Sequence, residues 1–170
     1  MTTHTDHSTA PSAAAPSTDL GELRRQLAVL HGGKVTSVHV PSGSAGLFAL
    51  LLGLPDPRPD GPAELAHRWL TVARSGWTLD RPTTPRTTPG PGARHLADDL
   101  RALIGREITA VRIAEPDWNT LIEFGDHHLR IHPAAPAPHA PSDETPAWAL
   151  RLPSRHLLLI GPGPRWRTRP

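Results

Sequence analysis

The chain has 170 residues, 21 of them Pro and none Cys, with a formal net charge of +2. Without Cys there are no disulfides, thiolate metal sites or cysteine nucleophile, and so small a net charge with Asp and Glu interspersed among Arg argues against a general nucleic-acid binder. Aromatic residues are few (five Trp, two Phe, no Tyr), so Leu must fill most of an interior, and Lys34 is the one lysine, an Arg-for-Lys bias that fits a GC-rich bacterial genome.

Residues 1–18 hold Thr, Ser, Ala, Pro and His with almost no large apolar side chain. Such a segment buries too little surface to offset its ordering entropy, so a disordered tail is expected. It has neither the basic start nor the apolar run of a secretory signal. The longest apolar stretch, 45–54, is half the length of a bilayer-spanning helix. The expectation is a cytoplasmic protein without a membrane partner.

Ordered structure is expected to begin with a helix capped by Thr18 or Asp19, with Leu20, Leu23, Leu27 and Leu30 on one face and a stop at Gly32-Gly33. Residues 34–40 alternate and are β-branched, which predicts a strand. A turn follows at Pro41–Gly46. The run 47–52 fits either a buried strand or a helical turn. Asp60-Gly61-Pro62 is a good helix start, with Leu65, Trp69, Val72 and Ala73 on one side and an end at Gly76, though 62–75 stays open between helix and strand. Residues 80–93 read as a Pro/Thr-rich linker.

Beyond the linker, Leu96, Leu100, Leu103 and Ile104 predict a second helix closed by Gly105. Strands are predicted at 106–113, 119–124 and 127–132, the last two joined at Gly125-Asp126, and a final hairpin at 147–152 and 156–160. Residues 164–170 read as a basic tail. The division is thus 1–18, 19–79, 80–93, 94–163 and 164–170.

A shift of 73 residues lays Leu23, Leu27, Leu30, Gly32, Thr36 and Val38 on Leu96, Leu100, Leu103, Gly105, Thr109 and Val111. Val35 and Val40 fall on Ile108 and Ile113. The matched Gly and Thr are more telling than shared Leu, and together they suggest an internal duplication. Farther on, Trp69 can be set against Trp148. The fold class expected is α+β: two helix-then-strand halves with antiparallel sheet. Each half, at roughly 60 ordered residues, is too small to stand well alone, so a shared core is expected.

Four segments carry residue types that could support chemistry. Ser42-Gly43-Ser44-Ala45-Gly46 approximates the small-x-Ser-x-Gly turn of a nucleophile elbow, but the first small residue is Ser and the framework of that turn is missing; a plain turn is the preferred reading, with a small serine hydrolase through Ser44 as the alternative. His128, Arg130 and His132 would share one face of a strand, with Leu129 and Ile131 on the other. The two histidines then stand about 13 Å apart, too far for one metal, so a solvent-facing polar stripe on a half-buried strand is the preferred reading, with a binding face for an acidic partner or a weakly pH-sensitive patch as the alternatives. Thr2-Thr3-His4 would form a square-planar Cu(II) or Ni(II) site only if Met1 were removed. Arg165, Trp166, Arg167 and Arg169 could stack on a base and touch phosphates; a solvated tail is the preferred reading, with Trp166 folded back onto the last strand as the alternative.

No cofactor motif stands out. The function expected is a non-catalytic accessory protein that binds another protein, with an immunity or antitoxin inhibitor as one form. The residues expected at its interface are Trp118, His128, Arg130, His132, Arg165 and Trp166, the two Trp being read as exposed.

Overall fold

Asp19 ends the extended N-terminal segment by accepting a hydrogen bond from the Glu22 amide at 2.9 Å, and helix α1 (Leu20–Leu27) follows. The structure, a computed structural model, describes residues 15–42, 46–54, 66–73, 75–88, 95–133 and 145–170. Residues 1–14, with the tail expected there and the possible Thr2-Thr3-His4 site, lie outside the described residues, and so does Ser44.

A 3₁₀ turn, Ala28–Leu30, extends α1 and leads to strands β1 (Lys34–His39), β2 (Phe48–Leu54), β3 (Ala66–Val72), β4 (Ser75–Arg81) and β5 (Thr84–Thr87). Helix α2 (Leu96–Arg101) opens the second half. It is followed by β6 (Ala110–Ala114), β7 (Asn119–Phe124), β8 (His127–Pro133), β9 (Trp148–Arg151), β10 (Leu157–Ile160) and β11 (Trp166–Arg169). The fold is α+β with antiparallel sheets. One sheet has the order β1-β2-β3-β9-β10-β11, the other β5-β4-β8-β7-β6.

Each half therefore lays its first three strands in one sheet and sends the rest to the other: β4 and β5 from the first half, β9, β10 and β11 from the second. β9 pairs with β3, setting Trp148 opposite Val72 and Leu150 opposite Leu70. β4 pairs with β8, setting Trp77 opposite Ile131 and Leu79 opposite Leu129. The counterpart of Trp148 is thus Trp77, not Trp69: Trp77-x-Leu79-x-x-Pro82 matches Trp148-x-Leu150-x-x-Pro153. Both tryptophans are buried and reach across to the opposite sheet. Trp77 Nε1 donates to the Gly46 carbonyl at 2.7 Å and its ring meets Phe48 edge-on at 4.9 Å. Trp148 Nε1 donates to Thr120 Oγ1 at 3.2 Å.

The halves meet where β1 and the segment before β6 begin, through a bridge between Lys34 and Glu107, positions that correspond under the 73-residue shift. The flanking bonds come in matched pairs. Gly32 N donates to Ile108 O and Gly105 N to Val35 O; Val35 N donates to Arg106 O and Ile108 N to Gly33 O. Reciprocal contacts of this kind define an approximate two-fold relation, as between the subunits of a symmetric dimer. The helices are exchanged too, α2 lying against β1 and α1 against β6. A single apolar core takes in both helices and both sheets.

Three stretches differ from expectation. The segment 62–75, whose spacing favours a helix, contributes β3. Its inward residues are Leu70 and Val72 at strand spacing, whereas Trp69 is 43% exposed; bonding to β2 on one side and β9 on the other selects the extended form, and local spacing does not show those partners. The stretch 80–93 holds the end of β4 and all of β5, an edge strand, where Pro85 is tolerated. Arg81 ties that hairpin to α2 through Asp99 at 2.8 Å, with Thr87 donating to the same carboxylate. Residues 166–169 form β11 on the outer side of β10, and Ser17 pairs with Trp166.

Candidate functional site

β6 is the last strand of its sheet, and α1 of the other half runs beside it. The two do not close on each other. Between them lies a groove of about 550 Å³ lined by α1 and its 3₁₀ turn on one wall and residues 109–113 on the other. Its apolar lining comes from Leu27, Ala28, Val111 and Ile113, with Arg24, His31 and Arg112 supplying positive or ionisable groups and no carboxylate among the lining residues. Volumes of this size are typical of ligand sites. Arg24 Nη2 donates to the Ile113 carbonyl at 3.4 Å, so that carbonyl points out of the sheet toward the helix.

A smaller hollow of about 230 Å³ lies over the sheet across β6, β7 and β8, sharing Arg112 and Ile113 with the groove and extending to Asn119, Leu121, Arg130 and His132. The predicted alternation on β8 holds: His127, Leu129 and Ile131 are buried while Arg130 and His132 are exposed, with His128 half-buried. His132 Nδ1 meets Asn119 Oδ1 at 3.0 Å. Arg130 pairs with Asp80 at 3.2 Å, and Asp80 also holds Arg86 at 2.5 Å. Partial burial disfavours the Asp80 charge, but the bonds from Arg86 and Arg130 outweigh it and hold the carboxyl below its ordinary range.

Three expected interface residues sit elsewhere in the fold. Trp118 is 3% exposed, in the β6–β7 turn with φ of 56°, so its ring belongs to the core and the expectation of an exposed Trp is corrected. A large apolar ring between Asp117 and Asn119 looks exposed in sequence; the left-handed backbone conformation accompanies its burial. Arg165 and Trp166 lie at the far edge of the other sheet. Arg165 Nε donates to the Pro162 carbonyl at 3.0 Å and Trp166 Nε1 to the Asp19 carbonyl at 2.9 Å, so both are anchored in place of forming a free tail. Sequence reasoning missed Arg24, His31 and Arg112. They come together only because the helix of one half packs beside the strand of the other.

Among the described residues no group of three or more His, Asp or Glu is placed to hold a metal ion, and no helix is long and apolar enough to cross a membrane. No family description, curated protein or solved structure matches the chain.

Proposed function

We propose that this chain is a non-catalytic accessory protein that binds another protein, and that the partner is taken up at the open border between α1 and β6. The observation that carries this reading is the groove itself: an apolar cleft of about 550 Å³ beside the outermost strand of a sheet, edged by Arg24, His31 and Arg112. A hollow of this size beside an unpaired strand edge has room for a segment of a partner chain, and Arg is enriched among residues that dominate binding energy. Arg130 and His132 extend the surface over the sheet across β6, β7 and β8. An immunity or antitoxin protein, which occludes its target and requires no catalytic group, is one case of this reading.

Ala28 gives the test. It is exposed and lines the groove, so Ala28→Phe fills the cleft without touching the core. Affinity capture from the producing organism, run with wild type and Ala28→Phe side by side, is expected to retain a partner on wild type and lose it on the variant, with the melting temperature unchanged. The same proteins captured by both would overturn the assignment.

A further inference from the structure

Resting on that protein-binding reading, we infer that the partner enters the groove as an extended acidic segment that adds a strand to the outer edge of β6. The backbone supplies the first reason. Past the bridge near Ile108, none of the described strands pairs with the outer side of β6. The Ile113 carbonyl faces α1, and strand alternation turns the N–H and C=O of Val111 the same way. An open strand edge offers main-chain donors and acceptors that a helical ligand, whose own are already used, cannot satisfy. Residues 109–113 span about 13 Å, enough for a four- or five-residue partner strand.

The side chains define what that strand carries. Neighbours across a strand pair share a face. Positions beside Ile113 point inward to the apolar wall made with Leu27, both of which are buried. The position opposite Arg112 points outward, to a guanidinium whose side chain is 69% exposed and meets Glu123 at 3.3 Å. Alternation of aliphatic and acidic residues in the ligand fits both faces, and Arg24 and His31 on the helix wall add to the attraction for carboxylates.

The repeat within the chain serves as an internal comparison. Under the 73-residue shift Leu27 and Val111 keep their kind at Leu100 and Val38, but Arg24 corresponds to Ala97, His31 to Ile104 and Arg112 to His39. The apolar frame is common to both halves, and the two arginines belong to one. The other half forms the same helix and strand with Ala97 and His39 in their places. Their gathering around the α1–β6 groove is therefore specific to this border.

The experiment is selection of peptides from a random displayed library on the full-length chain. The expected sequences have aliphatic residues at every second position with Asp or Glu between. Their binding is expected to fall by about tenfold or more on Ala28→Phe, and to weaken on Arg112→Gln and with rising salt. Amide exchange at Val111 and Ile113 should slow when a selected peptide is added. Helical spacing, a basic consensus, or no peptide that depends on the groove would overturn the inference. A wild-type dimer that Ala28→Phe converts to monomer would also overturn it, because the edge would then be filled by a second copy. If a cellular partner depends on Ala28 but the peptides do not alternate, this inference alone fails. If capture ignores Ala28, the reading beneath it fails too.

Discussion

At the scale of single residues, nearly every position shared by the two halves has a physical task that the structure repeats. Gly32 and Gly105 have φ of 78° and 82° and each donates its amide to the other half. Thr36 Oγ1 donates to the Leu51 carbonyl at 3.0 Å and Thr109 Oγ1 to the Glu123 carbonyl at 3.2 Å, the same bond made twice at the start of a strand pair. Leu23, Leu27 and Leu30 are buried, as are Leu96, Leu100 and Leu103. A Cβ at Gly105 would meet nothing within 4 Å, so Gly105→Ala isolates the backbone cost. It is expected to destabilise the chain by about 1–2 kcal/mol, read as a lower midpoint in urea at an unchanged slope; an unaltered midpoint would show that this turn tolerates a side chain.

Among the elements, electrostatics ties the outer faces of β4 and β8 together through Asp80. Its carboxyl is held below the ordinary range, so the stabilisation it gives is present above the unfolded value and is lost as pH falls through the folded one. Asp80→Asn is expected to cost up to about 1 kcal/mol at neutral pH, the scale of a largely exposed ion pair. Wild type and variant should converge in acid. Thermal melts of both proteins from about pH 7 down to about pH 3 check this; a gap that persists or grows in acid would contradict it. The elements themselves were legible where they alternate cleanly. β7 falls at the predicted 119–124, and the predicted β8 is one residue short. Local spacing leaves 47–52 undecided and makes 62–75 look helical, because β2 is held extended by β1 and β3, and β3 by β2 and by β9, which lies about eighty residues on from β3. Proline hid β5, and Arg-rich composition made β11 look like a tail, although each is held by one neighbouring strand at a sheet edge.

For the molecule as a whole, the apparent halves in sequence are not separate bodies in space. The Leu-Gly-Thr pattern was visible because both copies retain it, but the exchange of β4 and β9 was not, since strand pairing between halves leaves no local trace. The groove was hidden for the same reason: α1 and β6 belong to different halves. The exchange buries Trp77 and Trp148 in the sheet opposite to that of their own half's first three strands, and burial of one large apolar side chain contributes about 1.5–3 kcal/mol. The covalent link across 89–94 is then dispensable once folding is complete. A full-length chain with a protease site replacing residues 89–94, folded and then cut, puts this to the test on a native sizing column. The two pieces are expected to elute together as one species of the intact 18.3 kDa mass and to part only in denaturant. Two folded pieces that separate without denaturant would contradict the interlocked architecture.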